Sequence, residues 1–355
     1  MDKQANPYQK LSARNFWRSG VVDPGPFGIS ELVDPKFQIT RQDRIVTAGS
    51  CFAQRLNQTL TAWGYNCPMA EQPSEMLDPA HHARFNYGIY SARTGNIYTP
   101  AVLRQWISWA FDAAPDDLEI WPQHDGRVQD AFRPEIEPGG FESIEELNRA
   151  RHCTFAALRQ SLTQADVFVM TLGGTEAWRN KETGLIYPSC PGTVAGQFDQ
   201  NSHELVNFQY PKLREDLEWI IDRLHQVNPK LNILFTVSPI PLTATAEPNS
   251  HALVANTYTK STLRAVVGDL ARDSDQVDYF PSYELFVAPP FRAMFYAPNM
   301  RSVDPFGVNY VMERFVQIYG ESGTHMKPQT KQTAASNNDE DLVCHDFILD
   351  YYNGN

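Results

Sequence analysis

The run Gly49-Ser50-Cys51-Phe52-Ala53 sets a flexible residue, a hydroxyl and a thiol in a row, where an apolar stretch gives way to a helical pattern. A thiol at the first turn of a helix sits among unpaired backbone N–H groups and the positive end of the helix dipole. Both favour the thiolate, the form of cysteine that attacks carbon. Gly49 lets the chain turn sharply and leaves room for a substrate to come close to the backbone. Ser50 and Cys51 are therefore the candidate nucleophiles. The same residue types also fit a plainer reading, in which Ser50 is an N-cap and Cys51 a small buried side chain.

An elbow of this kind needs rigid elements on both sides. Residues 44–48, Arg-Ile-Val-Thr-Ala, read as a short strand. Phe52, Leu56, Leu60 and Trp63 recur at helical spacing, and Gly64 stops the helix. Further apolar strands are expected over 166–172, 231–237 and 277–280. Helices are expected over 100–111, from the capping box Ser143-Ile-Glu-Glu146 to about Thr163, over 211–227 and 252–273, and from Asp304-Pro305 to near Gly320. Apolar strands alternating with helices imply a parallel sheet covered on both faces. Residues 1–40 read as an irregular arm, 41–322 as one α/β domain and 323–355 as a flexible acidic tail. Residues 66–140, rich in Pro, Gly and aromatic side chains, form a long insertion after the first βα unit, placed to act as a cap.

Ligands of an open parallel sheet bind outside the carboxyl ends of its strands. Those ends carry Gly-Ser-Cys51, Gly173-Gly174-Thr175-Glu176-Ala177-Trp178, the run 238–245 with His251 shortly after, and Pro281-Ser-Tyr-Glu284. Trp178, with Phe291, Phe295 and Tyr296, is either core packing, the simpler reading, or an aromatic wall for a sugar or an acyl chain.

Gly49-Ser50-Cys51-Phe52-Ala53 resembles the signature of the GSCFA family. Gly95-Asn-Ile-Tyr-Thr99, Thr171–Trp178, Thr236–Leu242, Thr259–Arg264 and Asn299–Val303 look like further blocks of that family, in order over residues 40–316. The family in turn resembles the SGNH, or GDSL, hydrolases. That resemblance implies a three-layer α/β/α flavodoxin-like parallel sheet and esterase or acyl-transfer chemistry. It puts Cys51 at the nucleophile position, while a one-residue slip would choose Ser50. Where the superfamily carries an oxyanion-binding Asn, this chain has Gly173-Gly174-Thr175-Glu176. Thr175 and Gly174 remain as donors there, with the Cys51 N–H, Gly95 and Asn96 as others. Where the superfamily supplies its base from Asp-x-x-His, this chain reads Asn299-Met-Arg-Ser302.

His251 is the substitute base, because an imidazole opening a helix is held neutral and can accept a thiol proton. Glu284 is expected to orient it, with Glu176 as rival. Arg301, beside Asn299, is a candidate for binding a substrate carboxylate or phosphate. The leading expectation is a hydrolase or acyltransferase acting on an ester or thioester, for example an acylated carbohydrate. The alternative is a catalytically inactive carbohydrate-binding or regulatory protein on the same scaffold.

The composition narrows the classes further. A formal net charge of −12 disfavours nucleic-acid binding. No stretch approaches the ~20 apolar residues of a membrane span, and the N-terminus lacks an apolar signal region, so the cytoplasm is the expected location. Five widely spaced cysteines without a CxxC pair argue against a disulfide framework or a zinc site. The adjacent His81 and His82 aim apart, so neither metal nor other cofactor is expected.

Overall fold

The computed structural model describes residues 6–115 and 117–321, so the expected acidic tail lies outside the described residues. After single helical turns and the short α1 (Gly25–Gly28), β1 (Ile45–Gly49) leads into α2 (Cys51–Ala62). The insertion carries α3 (Pro100–Phe111) and a ribbon of β2 (Ile120–Pro122) and β3 (Val128–Asp130), followed by α4 (Ile144–Gln164). Next come β4 (Val167–Leu172), the antiparallel strands β5 (Glu176–Asn180), β6 (Ile186–Tyr187) and β7 (His203–Asn207), then α5 (Tyr210–Val227). The chain finishes with β8 (Asn232–Val237), α6 (Ala252–Asp273), β9 (Val277–Tyr279), α7 (Ser282–Val287) and α8 (Pro305–Tyr319).

The central sheet runs β1-β4-β8-β9, all parallel, with Thr47 opposite Val169 and Val169 opposite Leu234. Its side chains alternate between two cores, as the pleat requires. Val46, Phe168, Met170, Ile233 and Phe235 pack with residues of α3, α4, α5 and α6, such as Trp106, Leu158, Leu217 and Leu263. Ile45, Val167, Val169 and Leu234 pack on the other face with Phe52 and Leu56 of α2, Phe286 of α7 and Phe315 of α8. This is the expected three-layer α/β/α sandwich. Each fully buried Leu or Phe contributes about 1.5–3 kcal/mol, so the helix stripes and the strand alternation together hold the elbow rigid.

The helix termini follow the local chemistry. The Ser143 hydroxyl accepts from the Glu146 N–H at 3.1 Å, and Thr99 and Asp304 cap α3 and α8. Behind α2, Gly64 takes φ +80° while the Tyr65 N–H returns to the Leu60 carbonyl and the Gly64 N–H to Thr61. This is a Schellman closure.

A flavodoxin-like order 2-1-3-4-5 puts a strand on the outer side of the first one. Here loop backbone takes that place. The Ile45 N–H donates to the Asn66 carbonyl at 2.9 Å, and the Ile97 N–H donates to the Gly49 carbonyl at 2.8 Å. The segment between them carries prolines at 68, 73 and 79, which cannot donate to a ladder.

The insertion is clamped by buried charge. Asp130 accepts from Arg133 at 2.7 Å and from Arg151 of α4 at 2.8 Å. Arg133 also donates to the Arg93 carbonyl at 3.1 Å, and Glu71 accepts from the Arg93 N–H at 2.9 Å. Burial pushes the Asp130 carboxyl up, but Arg133 and Arg151 outweigh it and hold it below the usual range.

The sequence reading did not separate β5, β6 and β7 from the loops around them. They form a small antiparallel sheet in which Trp178 stands opposite both Tyr187 and Leu205.

Candidate active site

The elbow forms because β1 and β4 pack too closely for any residue but glycine at its corner. Gly49 takes φ +139°, and a Cβ there would lie 2.3 Å from the Thr171 carbonyl oxygen. The room at Gly49, expected to admit a substrate, is therefore filled by β4. Ser50 follows in extended conformation, its side chain makes no capping bond, and Cys51 opens α2.

The insertion brings a polar cluster to the sulfur. The Tyr98 hydroxyl lies 3.6 Å from Cys51 Sγ, and the Asn96 amide nitrogen lies 4.0 Å from it and 3.3 Å from Tyr98 Oη. Asn96 is held from behind. Its Oδ1 accepts from Gln54 Nε2 at 2.8 Å and sits 2.8 Å from the Tyr90 hydroxyl. That hydroxyl is also 3.0 Å from the carbonyls of Gly49 and Ser50. With its oxygen so occupied, Asn96 presents its N–H groups toward the thiol.

Tyr98 is anchored through its carbonyl, which accepts from the N–H groups of Gly173 at 2.9 Å and Gly174 at 3.0 Å. The glycine at 173 is needed for this fit, since a Cβ there would stand 3.0 Å from both the Ser50 Cβ and the Tyr98 ring. Lys260 of α6 is buried and donates to the Gly173 carbonyl at 2.8 Å.

Cys51, Ser50, Tyr98, Gly174 and Lys260 open onto one cavity of about 280 Å³. Glu176, Trp178 and Cys190 line it as well. Burial raises the Glu176 carboxyl above its ordinary range, against the opposing pull of the Thr245 hydroxyl and the Ala246 N–H. Burial pushes the Cys190 thiol up to about 11.

The structure thus brings Ser50, Cys51, Gly174, Glu176 and Trp178 onto one cavity, with Asn96 beside the sulfur, and leaves other expected residues elsewhere. The Gly174 N–H is spent on Tyr98. Thr175 is buried against the Asn207 amide oxygen at 2.7 Å and the Thr259 hydroxyl at 3.0 Å, so it does not face the cavity as an oxyanion donor. Gly95, with φ +68°, shapes the buried turn before Asn96.

His251 is exposed, and its Nδ1 accepts from the Leu253 N–H at 3.1 Å as the cap of α6. Glu284 receives the Tyr279 hydroxyl at 2.7 Å and pairs with Arg264. Neither residue lines the cavity, so the expected relay from Cys51 through His251 to Glu284 is not assembled. Asn299 accepts from the N–H groups of Arg301 and Ser302 at 3.0 and 2.9 Å, closing its own turn, and neither Asn299 nor Arg301 lines the cavity. Phe291 and Phe295 are core residues, and the Tyr296 hydroxyl donates to the Pro239 carbonyl.

Gln54 and Tyr90 were not singled out in sequence, and Tyr98 and Lys260, though inside the quoted blocks 95–99 and 259–264, were given no role. Lys260 left a signal, because it falls on the buried stripe of α6 with Leu263 and Val267. Among the described residues no three His, Cys, Asp or Glu side chains converge as a metal site. No helix there is long and apolar enough to cross a membrane.

Fold and site together define a three-layer α/β protein with a thiol at its strand-to-helix elbow. The GSCFA family profile matches residues 44–315, and the chain belongs to the GSCFA family. No curated protein matches it. Among solved structures it is similar to a Clostridium thermocellum family 3 carbohydrate esterase, at 11% identity over 78% of this chain and 94% of that one, with a TM-score of 0.32. Identity that low does not carry a substrate from one chain to the other.

Proposed function

We propose that the protein is a thiol-dependent esterase or acyltransferase with Cys51 as its nucleophile. The observation that carries this reading is the placement of Cys51 Sγ. It opens α2, faces a cavity, and has the Tyr98 hydroxyl and the Asn96 amide beside it. Ser50 shares the cavity, but its Oγ is buried and finds no hydrogen-bond partner among the described residues, so nothing is placed to take its proton. The helix terminus and two neutral donors favour a thiolate. A thiolate formed in this way needs no histidine to deprotonate it at each turnover.

In the reaction, the sulfur bonds the carbonyl carbon of an ester or thioester. The carbonyl electrons move to oxygen, where the Tyr98 hydroxyl and the N-terminal N–H groups of α2 are the donors at the cavity wall, with the Asn96 amide, off that wall, 4.0 Å from the sulfur. Collapse expels the alkoxide or thiolate, which takes a proton from solvent, and leaves an acyl thioester on Cys51. Water or an acceptor alcohol or thiol then attacks the thioester carbonyl, the C–S bond breaks to regenerate the thiolate, and the attacker's proton passes to solvent. A nucleophilic thiol works in a reducing compartment, which fits the cytoplasm.

Incubation with p-nitrophenyl butyrate followed by peptide mass mapping tests the assignment. A butyryl group on the peptide containing Cys51 is expected, absent in Cys51→Ala. Turnover that survives Cys51→Ala and vanishes in Ser50→Ala would move the nucleophile by one residue. No acylation with either side chain intact favours the binding-protein reading.

A further inference from the structure

We infer that the cavity beside Cys51 takes an unbranched acyl chain several carbons longer than acetyl, and that the substrates are acyl esters or thioesters of that class. The chemistry rests on Cys51 as nucleophile; the binding does not.

The cavity walls differ in character. Around the thiol stand Ser50, Tyr98 and Lys260. The remaining wall comes from β5, β7 and the loops after β6 and β8, and its apolar side chains include Trp178, Leu205, Ile240, Pro241 and Leu242. Trp178 and Leu205 are directly opposed across β5 and β7, so they share one face of that small sheet. The Trp178 ring is fixed edge-on by Phe198 at 5.2 Å.

A sugar pocket needs several convergent polar groups, and on this wall Thr193, Thr245 and Glu176 are already used by the protein itself. The Thr193 hydroxyl donates to the Cys190 carbonyl at 2.6 Å, and the Thr245 hydroxyl donates to Glu176 at 2.7 Å. Glu176 also accepts from the Ala246 N–H at 3.3 Å, so its two oxygens brace the loop. The hydroxyl oxygens of Ser189 and Thr243 are buried and have no hydrogen-bond partner among the described residues. What the wall offers is apolar area next to a nucleophile. The volume of about 280 Å³ is near the lower end, roughly 300 Å³, of small-molecule pockets and far more than an acetyl group fills.

The test holds the leaving group constant. With p-nitrophenyl esters from acetate to decanoate, kcat/KM is expected to rise about fourfold per added methylene until the cavity is full, then level off. A flat or falling series, or a preference that follows the leaving group rather than the acyl chain, overturns the inference.

A binding arm separates this from the nucleophile assignment. Calorimetry with Cys51→Ala should show S-octanoyl-N-acetylcysteamine binding at least about tenfold tighter than the S-acetyl compound. Chain-dependent binding in that variant, with no ester turnover by the wild type, supports the pocket and sinks the nucleophile. Equal binding of both compounds sinks the pocket alone. Leu205→Trp, which narrows the cavity, should lower the octanoyl-to-butyryl ratio of kcat/KM by at least about tenfold. Ile240→Phe is the second variant should the first fail to fold, and an unchanged ratio in a folded variant counts against the inference.

Discussion

The carboxyl edge of the sheet has two sides that the sequence treats alike and the structure does not. On the elbow side, Gln54 and Tyr90 turn Asn96 toward Cys51, and Tyr98 is pinned beside it by the Gly173 and Gly174 amides. On the far side, His251 caps its own helix, Glu284 is held by Arg264 and Tyr279, and Asn299 closes its own turn. The polar groups of one side converge on a sulfur, and those of the other serve the backbone nearby. The difference teaches that a strand-end position makes a residue available, while its neighbours decide whether it is used.

The comparison breaks first at the thiol. Cys51→Ala should lower kcat/KM for p-nitrophenyl esters on the order of a thousandfold or more, while Ser50→Ala should stay within about tenfold. Next comes the clamp that holds the insertion. Asp130→Asn leaves Arg133 and Arg151 buried without their carboxylate and should cost about 3–5 kcal/mol in urea unfolding. The pH sign follows from the depressed carboxyl. Its stabilisation is complete above the unfolded value of about 3.9 and is lost as pH falls through the lower folded value. The mutant should therefore lose this part of the acid dependence.

Removing a single donor comes third. Asn96→Ala should reduce kcat by about a hundredfold and move the iodoacetamide pH profile of Cys51 upward, and Tyr98→Phe should do the same more weakly. The cysteines sharpen the contrast further. Burial holds Cys67 and Cys190 at about 11, so alkylation near neutral pH should map to Cys51 well before either of them. The smallest effect is expected on the far side. His251→Asn keeps a capping side chain and should change stability by no more than about 0.5 kcal/mol and kcat/KM by less than about twofold. A larger loss of activity would return His251 to the reaction.

The layers were legible because both periodicities are local. Val167–Leu172 and Asn232–Val237 are runs of buried apolar residues, and Ala252–Asp273 carries a helical stripe. The elbow was legible for the same reason, since its glycine, thiol and helix start are adjacent in the chain. The β5–β7 sheet was missed although Asn180-Lys-Glu-Thr-Gly184 carries a turn signal, with Gly184 at φ +73°. Its strands are short and alternate weakly, and β6 is tied to α3 through Gln105 and Ile186, far away in sequence. The polar cluster was hidden for a different reason. Asn96 and Tyr98 reach Cys51 from 45 and 47 residues further along the chain, and no period records such a contact. His251 was misjudged because one feature, a histidine at a helix start, suits both a base and a cap.

The loop along the outer side of β1 has a consequence beyond geometry. An uncovered strand edge invites pairing with other chains, and the segment returning at Ile97 covers this one one residue past Asn96. The same strap therefore protects against aggregation and completes the surroundings of the sulfur. Its docking joins residues far apart in sequence, which places it among the slower steps of folding. A nascent chain would then carry Cys51 as an unremarkable thiol, and reactivity would arrive together with solubility. Pulsed alkylation during refolding would show this as a late gain in Cys51 labelling rate, while an early gain would separate the two.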